Sequence, residues 1–323
     1  MKINIASKEV VHFIGIGGIG MSGLAQIMNN MGFTIQGSDL GRNKNTDRLI
    51  KKGIKVYFGH HKTNLNKTTM VVISSAIKKN NMELIAAKNK KLPVFKRGEM
   101  LANIVALKKN VVVTGSHGKT TTTSLVANVL VEAGLDPTVI NGGVINSLKS
   151  NAQLGKGEWA VIESDESDGS FLKLPITYSI VTNLDKEHLD FYKRFEILKK
   201  GFCSFIEKTP SFGKSLICID DNNLKSLLPK IKTRNFLTYG FDKRSNYQIT
   251  NVRKKKNCSI FDLKIKLPSV KTYNINNIVV NLIGDHNITN ATASIAIALN
   301  LGVKVNKIKK ALKKFLGIQR RFT

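Results

Sequence analysis

Apolar residues recur along the first third of the chain in short blocks set between polar stretches. Residues 10–14 form an apolar run of strand length, and residues 21–31 carry apolar side chains at helical spacing. Residues 33–37, 55–58, 70–73 and 92–95 read as further short strands, and 97–107 as a helix. Strands alternating with helices predict a parallel α/β sheet. Polar Lys108-Lys109-Asn110 closes this unit, so residues 1–109 are assigned to one domain. A second unit, 110–318, begins with a buried-type strand at 111–114 and a helix at 120–133 closed by Gly134. Strands at 159–163, 177–181 and 215–219 follow, with a helix at 195–207. Over 247–282 the pattern turns to alternation, as in Ser259-Ile260-Phe261-Asp262-Leu263-Lys264-Ile265, which predicts a small antiparallel subsheet. Helices at 288–299 and 305–315 complete the reading.

Composition changes this picture little. A chain of 323 residues exceeds what one core usually serves, in keeping with two domains. No apolar run reaches the roughly 18–20 residues of a membrane span, and the first ten residues lack the features of a signal peptide. Cys203, Cys218 and Cys258 are far apart and in no metal spacing, which points to a reducing compartment, the cytoplasm. The net charge of +29 reads as attraction of anionic substrates such as nucleotides or as plain compositional bias toward lysine. It argues weakly for nucleic acid, because the lysines are scattered and the densest basic run, 253–256, is short and without interleaved aromatics. Nothing in the pattern specifies an oligomeric state.

The chemistry concentrates after strands. Val113-Thr114-Gly115-Ser116-His117-Gly118-Lys119-Thr120-Thr121 is strand, glycine loop and helix. Such a loop turns backbone N–H groups toward phosphate, Lys119 would reach the β- and γ-phosphates of ATP, and the Thr120 hydroxyl would ligate Mg²⁺. The loop is shorter than the usual G-x-x-x-x-G-K-[ST], whose first glycine would fall on Val113. Glu163-Ser164-Asp165-Glu166-Ser167-Asp168 lies at the end of a strand, either to hold magnesium or as a solvated acidic turn. Thr182-Asn183-Leu184-Asp185-Lys186-Glu187-His188 follows another strand, with His188 a metal ligand, a general base or an incidental residue at a helix start. Asn287 and Asn290 share a helix face, where they would contact an adenine edge or serve at the helix cap.

In the first domain, Gly15-Ile16-Gly17-Gly18-Ile19-Gly20 opens a helix after a strand, and Asp39 ends the second strand. This is a dinucleotide-binding fingerprint, and by itself it reads as an NAD-dependent dehydrogenase. Its physical content is narrower. The loop cradles a pyrophosphate and the acid holds a ribose, and UDP-sugars carry both. The expected fold is thus α/β: a Rossmann-like parallel-sheet domain, then a P-loop ATPase-type α/β domain with an antiparallel subsheet.

Together these segments resemble the Mur ligase family over essentially the whole chain. The likeness rests on Gly15 to Gly23, Gly37-Ser38-Asp39, Ser74-Ser75-Ala76-Ile77, Arg97-Gly98-Glu99-Met100-Leu101 and the short phosphate loop. It extends through 163–168 with Gly169-Ser170-Phe171, His188, Gly284-Asp285-His286-Asn287 and Arg320-Arg321-Phe322. The resemblance is greatest to the alanine-adding branch, ahead of the branch that recycles a preformed tripeptide. It implies ATP-dependent ligation of L-alanine to UDP-N-acetylmuramate in peptidoglycan precursor synthesis, with two Mg²⁺ ions. It assigns Gly15, Gly17, Gly18, Gly20, Asp39, Ser74 and Arg97 to the UDP-sugar. Gly115, Ser116, His117, Gly118, Lys119, Thr120, Thr121, Asn287 and Asn290 go to ATP. Thr120 and Glu163 are assigned to one ion and His188 to the second. Arg321 is assigned to the phosphates, at a hinge (319–323) beyond which family members continue into a third domain. The expectation is that these 323 residues bind the UDP-sugar, and ATP weakly, yet ligate nothing alone.

Overall fold

The computed structural model describes residues 8–145, 150–167, 169–268 and 270–319; Asp168 and Arg320, Arg321 and Phe322 lie outside them. The first sheet has five parallel strands: β1 (Val10–Ile14), β2 (Thr34–Asp39), β3 (Lys55–Phe58), β4 (Met70–Ile73) and β5 (Val94–Lys96), in the order β3-β2-β1-β4-β5. Helices α1 (Ile19–Asn30), α2 (Lys44–Lys51), α3 (Met82–Asn89) and α4 (Arg97–Val105) connect or follow them. Because the chain runs to one side of β1 and then to the other, a crevice opens at the carboxyl ends of β1 and β4, where α/β sheets bind ligands. Expected strands and helices of this half recur within two residues at their ends. The apolar pattern does not disclose α2 or α3, since α2 buries little beyond Thr46 and Leu49. What starts α2 is the Asn43 side chain, which accepts from the N–H groups of Asn45 and Thr46, a cap worth about 1 kcal/mol.

The second sheet begins with β6 (Lys109–Thr114), followed by α5 (Lys119–Glu132), β7 (Thr138–Ile145), β8 (Ser150–Gln153), β9 (Trp159–Glu163) and β10 (Tyr178–Val181). Then come α6 (Leu189–Tyr192), α7 (Phe195–Glu207), β11 (Ser215–Cys218), α8 (Asn222–Leu227) and β12 (Phe236–Gly240). Strands β13 (Tyr247–Lys254), β14 (Ser259–Ile265) and β15 (Tyr273–Val280) precede α9 (Asp285–Asn300), α10 (Val305–Lys314) and β16 (Ile318–Gln319). A parallel block β12-β11-β10-β6-β9-β7 carries the antiparallel β13-β14-β15 on one edge and β8 and β16 on the other. The antiparallel strands are continuous with the main sheet, because β13 joins β12 in parallel through Tyr239 and Tyr247.

Strand β6 lies between β9 and β10, so three strands end at one edge around the loop after Thr114. Helix α5 packs against α9 and α10. The two sheets are joined by α1 lying on β7 and β8, within an apolar cluster that runs from Met31, Ile104 and Val105 to Val139, Ile140 and Ala160. An ion pair between Glu99 and Lys173 (2.8 Å) also crosses the junction, but both groups are solvent-exposed and such pairs contribute less than about 1 kcal/mol. The apolar cluster therefore carries the adhesion. Among the described residues, no helix is long and apolar enough to cross a membrane.

Candidate active site

The loop that follows β6 is shaped by backbone constraints that glycine alone meets. Gly115 has φ +134, and a Cβ there would lie 2.2 Å from the Thr182 hydroxyl and 2.9 Å from the Asn183 carbonyl. Residues after β10 hold the loop from that side. Ser116 N–H donates to the Asn183 carbonyl (3.2 Å), His117 N–H to Asn183 Oδ1 (2.7 Å), and the Thr182 hydroxyl to the His117 carbonyl (2.7 Å). Gly118, at φ +79, precedes α5 and faces the Asn290 carboxamide, whose Oδ1 would be 2.9 Å from an added Cβ. The N-terminus of α5 thus opens at the edge where β6, β9 and β10 end, as an anion site requires.

Two carboxylates engage the start of α5, each through a different side chain. Register pairs Val113 with Glu163, which brings Glu163 beside α5, and the Thr120 hydroxyl donates to its Oε1 (2.9 Å). Lys119 Nζ donates to the Gly115 carbonyl (2.6 Å) and to both oxygens of Glu166 (3.1 and 3.0 Å). Glu166 is fully buried, and burial pushes its pKa up despite the Lys119 charge. His188 Nε2 lies 3.7 Å from Glu166, and one ligand atom from each of Asp165, Glu166 and His188 falls within 4.8 Å of the others. His188 is half-exposed and adopts φ +57 at the residue before α6. Hard oxygen donors at Thr120 and Glu163, with a second donor group across Lys119, fit magnesium beside a polyphosphate.

The expected residues of this domain therefore gather around one loop, with differences in detail. Asn290 is buried against Gly118, whereas the Asn287 amide donates to the carbonyl of Ile283 (2.8 Å) on its own chain segment. His117 turns outward, its Nε2 2.9 Å from Asp185. Thr121 sits in the first turn of α5. Arg321 lies outside the described residues. Glu166 lies within the acidic segment, where the sequence pattern assigns it no separate role. Spacing does not distinguish it from Asp165; its burial does.

The first-domain loop is built otherwise. Gly15 and Ile16 N–H both donate to the Ser38 carbonyl (2.8 and 2.9 Å), and Gly17 N–H to Asp39 Oδ2 (2.7 Å). Gly18 N–H turns back to the Gly15 carbonyl (3.3 Å). These four donors shape the loop that leads into α1. Ser74, after β4, packs on Gly15, and the Arg97 guanidinium, at the start of α4, packs on Gly20. Gly15, Gly17, Gly18, Gly20, Asp39, Ser74 and Arg97 thus meet at the crevice of the first sheet. A dehydrogenase would account for this loop and leave the Lys119, Glu163 and His188 group without work.

Known proteins resemble the chain over most of its length. Residues 10–109 match the model of the Mur ligase family catalytic domain, and 113–298 that of the Mur ligase middle domain. The chain is 59% identical to a UDP-N-acetylmuramate–L-alanine ligase of Pelagibacter ubique, across 100% of this chain and 69% of that one. It is 47% identical to the ligase of the same name from Agrobacterium fabrum, across 97% and 67%. It thus spans about two thirds of the length of these relatives. Among solved structures, a UDP-N-acetylmuramate-alanine ligase from Thermotoga maritima superposes with a TM-score of 0.84 at 28% identity, covering 97% of this chain and 70% of that one. A UDP-N-acetylmuramate:L-alanyl-gamma-D-glutamyl-meso-diaminopimelate ligase from Neisseria meningitides gives 0.85 at 27%, covering 97% and 99%.

Proposed function

Since the chain belongs to the Mur ligase family, we propose that it serves the ATP-dependent ligation of L-alanine to the lactyl carboxylate of UDP-N-acetylmuramate, through an acyl phosphate. The observation that carries this reading is the arrangement at the start of α5. Lys119 and Thr120 are adjacent, and each contacts its own carboxylate, Glu166 and Glu163. That leaves a cation and two separate acidic positions around one phosphate loop, as phosphoryl transfer to a carboxylate demands.

In this mechanism the first-domain loop holds the UDP pyrophosphate at α1, with Arg97 beside it. The lactyl carboxylate attacks the γ-phosphorus of ATP, the bond to the β-phosphate oxygen breaks, and ADP leaves. The deprotonated amine of L-alanine then adds to the acyl carbon, and the tetrahedral intermediate expels inorganic phosphate. Lys119 would exchange its contacts with the Gly115 carbonyl and Glu166 for the β- and γ-phosphates, countering charge on the transferring group. Magnesium, when bound by Thr120 with Glu163 and by His188 with the neighbouring acids, supplies Lewis-acid polarisation of the phosphoryl oxygens. Asn290, packed on Gly118, would meet the nucleotide. The reading includes a cytoplasmic location, supported by the ATP requirement and by three free cysteines.

Calorimetry should detect UDP-N-acetylmuramate and Mg·ADP binding at independent sites of the chain, with no response to NADH. In an assay with ATP, UDP-N-acetylmuramate and labelled L-alanine, any label transferred should move to the UDP-sugar, and steady transfer would overturn the expectation that these residues ligate nothing alone. Transfer of a preformed tripeptide in preference to alanine would replace the reading with that of the recycling branch; NADH binding at the first loop would replace it with a dehydrogenase.

A further inference from the structure

Beneath the first glycine loop lies a buried polar cluster that the proposed reaction does not use. Glu83, in the first turn of α3, is fully buried. Its Oε2 accepts from the Ser38 hydroxyl (2.5 Å) and faces His60 Nδ1 (3.0 Å). Its Oε1 accepts from Asn64 Nδ2 (2.7 Å) and lies 3.4 Å from Nε2 of fully buried His12. His60 Nδ1 is also 2.9 Å from the Ser38 hydroxyl oxygen, whose proton goes to Glu83, so Nδ1 carries a hydrogen. Three hydrogen-bonding groups, Ser38, His60 and Asn64, and the nearby His12 ring therefore converge on one carboxylate from β1, β2 and the segment after β3. Burial alone would push the Glu83 pKa up; the bonds from His12, Ser38 and Asn64 outweigh it and hold the carboxyl below the usual range.

The cluster has one direct link to the loop above it. Ser38, which gives its hydroxyl to Glu83, gives its carbonyl to both Gly15 and Ile16 N–H. The next residue, Asp39, holds Gly17 N–H by its carboxylate, while its own carbonyl accepts from Gly59 N–H (2.8 Å), near His60. The end of β2 is thus clasped on one side by the loop and on the other by Glu83 and the segment after β3. Apolar residues of equal volume would fill the space at lower desolvation cost, but they would not set the rotation of the Ser38 side chain and peptide.

We propose that Glu83 is a positioning residue of the UDP-sugar site, holding Ser38 and Asp39 so that the 15–20 loop presents the start of α1 to the pyrophosphate. The proposal rests on the reading of that loop as the UDP-sugar site. Glu83→Gln tests it sharply, because either flip of the carboxamide turns an NH₂ against two donors. With UDP as the probe, affinity should fall about tenfold, the scale on which small misplacements of positioning groups are felt. Mg·ADP affinity in the second domain should stay as in the parent, and melting should stay cooperative at a somewhat lower temperature. Ser38→Ala should weaken UDP less, and the double variant should bind no worse than Glu83→Gln, since both act along one path.

UDP affinity within about twofold of the parent in Glu83→Gln overturns the proposal. So does a parallel fall of UDP affinity, ADP affinity and melting temperature, which marks general support of the fold. If Glu83→Gln does not melt cooperatively, Ser38→Ala decides: weaker UDP with unchanged ADP supports the proposal, and unchanged UDP overturns it. A parent chain that binds Mg·ADP and not UDP removes the reading of the loop, and the proposal with it.

Discussion

The chain contains two strand–glycine–helix units, both proposed as phosphate sites, and they are held in opposite ways. The 115–118 loop carries its cation with it, Lys119 following directly, and meets side chains from β9, β10 and α9. The 15–20 loop has no cation of its own; Arg97 comes from α4, and the N–H groups of residues 15–18 are spent on holding the loop's shape. Each is backed by a fully buried glutamate, and the two are perturbed in opposite directions. His12, Ser38 and Asn64 together hold Glu83 below its ordinary range against its burial, whereas burial raises Glu166 despite the Lys119 charge beside it. The first loop is locked for binding. The second keeps charged groups that can exchange partners when a nucleotide enters.

The largest effect expected from breaking this contrast is at Lys119. Lys119→Ala should lower phosphoryl transfer from ATP, measured as ADP release, by about 10³-fold, because a preorganised charge on the transferring group is lost. UDP affinity should be untouched; ADP release at the parent rate would sink the assignment.

Added methyl groups sharpen the comparison further. Gly115→Ala places a Cβ 2.2 Å from the Thr182 hydroxyl at a φ of +134, so Mg·ATP affinity should drop about 100-fold with UDP binding intact. Gly17→Ala meets the Asp39 carboxylate at 2.8 Å and the Asn43 amide at 2.6 Å, both movable side chains. It should cost about tenfold in UDP affinity alone. Calorimetry of both ligands on both variants checks the pair, and a shared loss in either variant would mean that the loops are not independent.

The smallest effect is on stability against pH in the metal-free chain. A glutamate held below its ordinary pKa stabilises the fold fully above the ordinary range and loses that contribution as pH falls through its depressed value. The deficit of Glu83→Gln relative to the parent should therefore shrink on acidification. A raised pKa has the opposite sign, so Glu166→Gln should gain on the parent as pH rises through the folded value. Denaturant melts between pH 3 and 8, a span chosen to bracket carboxylate titration, would show two slopes of opposite sign. Slopes of equal sign would contradict the assigned environments.

Much of this was legible before any coordinates. Parallel strands inside a sheet read as apolar runs, and β1, β4 and β9 appear with the ends expected of them. The glycine loops announce themselves because their backbone tolerates so few residue types. Helices α2 and α3 were not legible, being short and held by Asn caps and polar contacts rather than by an apolar stripe. Within the acidic segment, Asp165 and Glu166 are neighbours of like charge, and no local rule says which is exposed and which is buried.

The amino-acid sequence by itself determined the two-unit α/β plan, the two phosphate loops and the kinship that joins them, since each depends on short-range pattern. The tertiary structure alone decided which carboxylate pairs with Lys119 and which with Thr120, that Asn290 rather than Asn287 meets the loop, and that Glu83 underlies the first site. Those are contacts between strands and helices distant along the chain. They are set by sheet order and register, which no local pattern encodes.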